Sequence, residues 1–572
     1  MLINIILFYI ISLIFLSTIF GYGLFFKNIL NNSISIKIHE VGFFGFITIY
    51  LISNLVHFVQ PLTNEVSYIF IIAGLIFFIK YFNFKKNLIN KNFLFSLLIF
   101  FVVVLTINFH DDRYWYQLPY INYYQNYKTI IGINSLNFFF YGNSIYDIMS
   151  IFNIAKLSNS IVYIIPSSII FFVSFFILQE IKNKNFNHFL ILLIFYSFLI
   201  LFRYTRSKEY GADLFTMSLM FLVVYYSWKE NDKSSTDNLF KIFVLFVFAI
   251  FSKIYAIFII FYPTYFLFKN LKQTFSLIKK KNFIIVIFLL LSVSFLKNYL
   301  HSSCLIYPVK ITCVSKNVWY NGDKVIEALQ VDGEAIAKGF KNYINIEQNP
   351  NLTANDFLEK YKYKYFKYLI LDKDIERIII SFFIFIMSYL IFFRSLNLYK
   401  NVKYKNLFLL SILSLLFWLF YLPQSRYGGN MILLIFFSSF FAYFNKNINI
   451  KYDKISIIFL ISSIIFFSTK NINRINNQIT FSKNNNINFP FKKFDGFSAT
   501  KKKYNNIDFV ISNHKRYCVN SKIICTTDSI FKSIDKIFLK KTYMLIQPNR
   551  DKLNLALKEI AYDHKLTYIN YK

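Results

Sequence analysis

The sequence predicts an all-α polytopic membrane protein carrying a small C-terminal α/β domain outside the bilayer. Three observations predict it. Of the 572 residues, 56% are hydrophobic and 21% aromatic, with a mean hydropathy of +0.45. Apolar runs recur from the N-terminus to about residue 469, and each is long enough to cross roughly 30 Å of hydrocarbon. The lysines behind the formal charge of +34 mostly flank those runs, where they set topology. A soluble chain of that charge would point to nucleic acid. Here Phe, Ile, Asn, Lys and Tyr dominate every region, loops included, so the charge reflects a chain-wide bias and nucleic acid is not an expected partner.

Taken in order, the opening "MLINIILFYIISLIFLSTIFGYGLFF" lacks a basic leader and a small-residue cleavage site, so it reads as a retained first helix. Apolar runs then give about fourteen spans, near 2–25, 41–59, 67–83, 93–107, 158–179, 187–203, 213–228, 239–252, 254–268, 283–297, 376–393, 407–422, 429–444 and 454–469. If 108–157 faces outside, alternate inside loops such as "FKNILNNSISIK", "KYFNFKKNLINKN" and "KNLKQTFSLIKKKN" all carry Lys or Arg. Outside turns such as "QPLTNE" are nearly uncharged. The register places 108–157, 298–375 and 470–572 outside. Residues 1–469 then form the multi-span domain. Residues 470–572, with "NIDFVISN", "DKIFLKKTYMLIQP" and "KLNLALKEIAYDHKLTYINYK", form a soluble periplasmic domain. No internal repeat is visible, which weighs against an inverted-repeat transporter.

The four cysteines fall outside in two close pairs, Cys304 with Cys313 and Cys518 with Cys525. That placement suits disulfides in an oxidising compartment. Zinc is disfavoured, because no CxxC or paired-histidine spacing accompanies them.

Polar residues concentrate at three outside positions. "NFHDDRYWYQLPYINYYQ" puts His110, Asp111 and Asp112 at the mouth of the fourth span. "RYTRSKEYGAD" carries Arg203, Arg206, Lys208, Glu209 and Asp213, with three cations where topology disfavours them. "LPQSRYGGN" sets Arg426 between a proline and two glycines. Solvated loop charges at a headgroup interface would explain any one of these. Three together suggest a single extracytoplasmic cavity, because polar residues at membrane depth are expensive and mark function. Guanidinium forks hold phosphate oxygens in bidentate fashion, and a carboxylate can take a proton from an attacking hydroxyl.

The ordered set "HDDRYWYQLPYINYY", "IIGINSLNFFFYGNSIYDIMSIF", "SKEYGADLFTMSLMF", "LKNYLHSSCLIYPVKITCVSKNVW" and "LPQSRYGGNMILL" resembles a family of large polytopic bacterial inner-membrane proteins associated with surface-polysaccharide loci. The resemblance covers roughly residues 90–445. That family in turn looks like the GT-C class of glycosyltransferases, in which an aspartate in the first large outside loop is catalytic base or metal ligand and the donor is a polyprenyl-phosphate-linked sugar. The resemblance implies a catalytic role for Asp111 or Asp112. It implies contacts from His110, Arg206, Lys208, Glu209 and Arg426 to substrate, the cations taking the lipid phosphate. About three spans precede the loop here, so an N-terminal addition to the GT-C layout is implied.

The implied partners are the lipid bilayer, the polyprenyl-phosphate sugar donor and a glycan or lipid-linked acceptor. Adjacent carboxylates do not readily both ionise without a cation, which makes a raised pKa or a divalent metal ion the expected companion. Neighbouring residues in an extended loop point apart, so one of the two aspartates reaches the substrate. His110 reads as a ligand or as polar packing. Tyr114, Trp115, Tyr116, Tyr123 and Tyr124 read first as interface anchors. Two other functions fit the same face: a polymerase acting on lipid-linked substrates, and a lipid-linked polysaccharide transporter or flippase.

Overall fold

The computed structural model describes residues 1–30, 33–83, 90–108, 116–138, 142–154, 159–182, 207–208, 212–340, 353–361, 402–444, 453–484, 488–491, 499–504, 507–512, 524–539 and 543–563. They are mostly helical. Among them, five helices are long and apolar enough to cross a membrane: Leu2–Ile29, Asn64–Tyr81, Ile161–Lys182, Lys281–Ser302 and Val402–Tyr421. A sixth arises if the pair Ile254–Lys269 and Leu271–Ile278, bent by 95°, counts as one span. This corrects the expectation of fourteen. An apolar run fixes hydrophobicity but not helix length: the runs at 41–59, 93–107 and 429–444 yield only the shorter helices Val41–His57, Lys91–Val104 and Tyr427–Phe440. The expected spans 187–203 and 376–393 lie outside the described residues.

The helices that position the polar residues are α1 (Leu2–Ile29), α2 (Val41–His57), α3 (Asn64–Tyr81), α4 (Lys91–Val104), α5 (Leu118–Asn126), α6 (Ser144–Phe152), α7 (Ile164–Lys182), α8 (Ala212–Asp232), α9 (Thr236–Ser252), α10 (Phe261–Lys269), α11 (Leu271–Ile278) and α12 (Lys281–Ser302). Apolar stripes bring α1, α2 and α3 together. Phe25 stacks on Phe77 at 4.3 Å between ring centroids, and the Tyr22 hydroxyl donates to the Phe70 carbonyl at 3.0 Å. Caps set several starts: Asn90 accepts from the Asn92 amide, Asn143 from that of Ile145, and Ser235 from that of Asn238. Outward faces of α1, α3 and α12 expose Ile3, Ile69 and Phe288, as lipid-facing surfaces do.

Later come α13 (Asp323–Ala337), α14 (Ala354–Tyr361), α15 (Lys405–Tyr421), α16 (Asn430–Phe444), α17 (Asp453–Asn484), α18 (Asp528–Lys532) and α19 (Arg550–Asp563). α17 runs unbroken through the expected domain boundary at residue 470. Eight short strands lie among them: β1 (Ile107–Asn108), β2 (Thr129–Ile131), β3 (Ser207–Lys208), β4 (Ala499–Tyr504), β5 (Ile507–Ser512), β6 (Ile524–Thr526), β7 (Ile534–Leu539) and β8 (Tyr543–Pro548). They form three sheets among the described residues, ordered β1-β3, β2-β8-β7 and β4-β5-β6. β2 belongs to segment 108–157 yet pairs in parallel with β8, Thr129 opposite Tyr543. The C-terminal segment therefore completes its sheet with a strand borrowed from 108–157.

A second apolar core joins the same distant segments. Phe138, Cys304, Tyr307, Ile326, Leu329, Ile530, Leu553 and Leu557 pack together within it. The Arg550 guanidinium donates to the carbonyls of Ser315 and Asn317 and lies over the Tyr320 ring. Cys304 and Cys313 are bonded, S–S 2.04 Å, as their spacing and shared side led us to expect. Cys525 is also in a disulfide. Its expected partner Cys518 lies outside the described residues.

Candidate functional site

Polar side chains gather in two buried layers at opposite ends of the helix bundle. The layer at the end expected to face outside, named the outer layer, begins with α6; the other is named the inner layer. Its cap, Asn143, fixes the start of the helix, so that Asp147 stands in the first turn, where the helix dipole favours a carboxylate. Gly142 just before it is needed for a close approach: a Cβ there would lie 2.1 Å from the Asn298 side-chain oxygen of α12. Asp147 is completely buried and forms an ion pair with Lys297 of α12. Asn54 of α2 donates to Asp147 Oδ2 at 3.1 Å, and the Tyr120 hydroxyl donates to Oδ1 at 3.1 Å.

Tyr120 and Tyr124 are four residues apart on α5 and so share a face, with their hydroxyls 3.1 Å apart. His57 stacks parallel on Tyr124 at 3.9 Å, and His301 meets the rings of Tyr120 and Tyr124 edge-on at 6.2 and 6.1 Å. The Lys297 ammonium also lies over the Tyr50 ring, whose hydroxyl is 2.7 Å from Ser294 Oγ. Three buried atoms of this layer have no hydrogen-bond partner among the described residues: Asn54 Oδ1, His57 Nε2 and His301 Nδ1.

The layer continues sideways. Ser144 Oγ lies 2.6 Å from Ser252 Oγ at the end of α9. The next residue, Lys253, pairs with Asp213 at the start of α8, and the Tyr255 hydroxyl donates to the Asp213 carbonyl at 3.3 Å. Gly428, at φ +79°, sits against the Tyr255 ring within the kinked turn Ser425–Gly429 that carries Arg426. The left-handed backbone there favours glycine.

Backbone geometry joins two of the three segments singled out in the sequence. β1 pairs in parallel with β3, Ile107 opposite Ser207 and Asn108 opposite Lys208. The chain leaves β1 two residues before His110, and Arg206 and Glu209 flank β3 on either side. His110, Asp111, Asp112, Arg206 and Glu209 lie outside the described residues, and Lys208 and Arg426 are described by backbone only. Among the described residues, no group of three or more His, Cys, Asp or Glu has metal-ligand grouping.

Sequence reasoning passed over Asp147, Lys297, Tyr120, His57 and His301. A lysine within the apolar run of α12 was the available signal, since a cation at membrane depth demands a partner.

The inner layer is built differently. Glu180, at the end of α7, accepts from His39 at 2.9 Å, Lys37 at 3.3 Å and Lys229 at 2.5 Å, and from the Tyr225 hydroxyl. Glu40, just before α2, accepts from Lys241 and the Tyr226 hydroxyl, each at 2.6 Å, and from the Lys37 amide at 2.8 Å. These groups lie at the start of α2 and α9 and the end of α7 and α8. The outer layer lies at the opposite ends of α2, α8 and α9.

A family profile described as Domain of unknown function (DUF8201) matches residues 1–433. No curated protein and no solved structure matches the chain. The matched region holds both polar layers and the Arg426 turn, and it stops before the segment that supplies β4 to β8.

Proposed function

The chain belongs to the DUF8201 family, and we propose that it is a membrane glycosyltransferase of GT-C-like build. It takes a polyprenyl-phosphate-linked sugar on the periplasmic face of the bacterial inner membrane, in cell-surface glycan assembly, with the C-terminus also periplasmic. The observation that carries the reading is the parallel pairing of β1 with β3, which sets Asn108, two residues before His110, opposite Lys208. In this reading Asp111 or Asp112 accepts the proton of an acceptor hydroxyl on a glycan or lipid-linked sugar. The hydroxyl oxygen bonds to the anomeric carbon, the bond from that carbon to the phosphate oxygen breaks, and polyprenyl phosphate leaves. Arg206, Lys208 and Arg426 hold the phosphate as charge builds on it, while His110 and Glu209 contact the sugars. The lipid tail stays in the bilayer, which explains why the site belongs at the end of membrane helices.

The inner layer supports chemistry on one face over passage through the protein. Both of its carboxylates are held by lysine and tyrosine donors from several helices. A transporter or flippase would have to part them in every cycle. The test is glycan assembly in cells carrying Asp111→Asn/Asp112→Asn at normal expression. We expect assembly to stop; assembly at the wild-type rate rejects the catalytic reading.

A further inference from the structure

Between two apolar helices at the inner end lies an elbow. α10 runs to Lys269, the chain turns by 95°, and α11 covers only Leu271–Ile278 before α12 enters its span at Lys281. Eight residues of helix reach roughly 12 Å, too short to cross a bilayer, so α11 lies along the surface between its neighbours. Thr274 and Leu277 are buried against the protein. On α11, Leu271, Phe275 and Ile278 are 48%, 60% and 45% exposed at helical spacing on one stripe, and Phe268, just before the bend, is 66% exposed.

Lys272, Lys279 and Lys281 surround that stripe. All three are exposed, and none of their ammonium groups makes a hydrogen bond or ion pair among the described residues. The nearby acids are engaged elsewhere. Glu230 accepts from Ser234 and the Ser235 amide at 2.8 Å and from Asn270, and Asp232 pairs with Lys403 at 2.7 Å. Lys280 anchors the elbow, donating to the Ser33 carbonyl at 2.6 Å.

An exposed apolar stripe flanked by unpaired ammonium groups, held flat between two spans, is complementary to lipid. Acyl chains meet the rings, and phosphodiesters meet the lysines. We propose that this elbow is a binding site for the headgroups of anionic phospholipids in the inner leaflet. The inference does not depend on the glycosyl-transfer reading.

The experiment compares the full-length protein with Lys272→Ala/Lys279→Ala/Lys281→Ala in nanodiscs of mixed phosphatidylglycerol and phosphatidylcholine. Lipids retained after release are counted by native mass spectrometry. The wild type should retain phosphatidylglycerol over phosphatidylcholine by about tenfold, and the triple variant should fall to near parity. A matching Arg triple should keep the preference. Equal enrichment in wild type and Ala variant overturns the proposal. So does displacement of the bound lipid by inorganic phosphate, which would assign the lysines to a soluble anion. A change of oligomeric mass with an unchanged lipid count would assign the face to a second copy, and would also overturn it.

Discussion

The two buried polar layers use the same residue types and reach opposite states of completion. In the inner layer, Glu40 and Glu180 draw in Lys37, His39, Lys229, Lys241, Tyr225 and Tyr226, and the oxygens of both carboxylates are met. In the outer layer, Asp147 is equally well held, but Asn54 Oδ1, His57 Nε2 and His301 Nδ1 around it remain without a hydrogen-bond partner among the described residues. Burying such an atom unpaired costs about 1–3 kcal/mol. Open buried atoms of this kind are where a ligand or an ordered water binds. In the proposed reading, the difference separates a structural lock from a candidate site.

The largest expected effect falls on the lock. Glu180→Ala leaves Lys37, His39 and Lys229 without their shared anion and should destabilise the protein by about 3–5 kcal/mol, read as a fall in the thermal unfolding midpoint in detergent. A midpoint unchanged within a degree would mean that the inner layer holds nothing together, and the comparison would break.

Next comes Asp332 of α13, a half-buried carboxylate in the segment expected to lie outside, whose Oδ1 has no hydrogen-bond partner among the described residues. Burial pushes it up to about 7. The folded form keeps its proton to near pH 7, whereas the unfolded chain loses it near pH 4. Stability should therefore fall as pH rises through that window and stay low above it. Asp332→Asn should flatten the slope and stabilise by up to about 4 kcal/mol above pH 7. Unfolding midpoints at pH 5 and pH 8 check this; an unchanged slope would show that Asp332 does not titrate in the window.

Replacing Cys304 and Cys313 by serine opens the bonded loop and should cost about 2–3 kcal/mol. Loss should be confined to the outer core built around Cys304. Hydrogen exchange should quicken in α13 and α19 and stay unchanged around Glu180; equal quickening at both ends would dissolve the distinction.

Much of this was legible in the sequence, because local signals carried it. Apolar runs marked the helices, and close spacing on one side marked Cys304 and Cys313. The runs ended a span at 268 and left 269–282 as a loop, but they could not say that Leu271–Ile278 of that loop would be helical, since that helix depends on Thr274 and Leu277 finding a surface to pack on. Nor could they pair Asp147 with Lys297, which are 150 residues apart and each isolated in its own segment. β2 was hidden for the same reason. Three residues of a loop become a strand only when β8, more than four hundred residues later, supplies the hydrogen bonds.

The smallest expected change in stability accompanies the most decisive test of function. Replacing a buried ion pair by groups of similar volume is often close to neutral, so Asp147→Asn/Lys297→Met and, at the other end, Glu40→Gln/Lys241→Met should both fold. Each is placed in membranes with a photoreactive polyprenyl-phosphate sugar, and covalent labelling is compared with wild type. The account predicts that the outer pair loses labelling by about tenfold or more while the inner pair labels normally. Normal labelling of the outer variant, or loss only in the inner one, would contradict the proposed placement of the donor site at the outer end of the bundle.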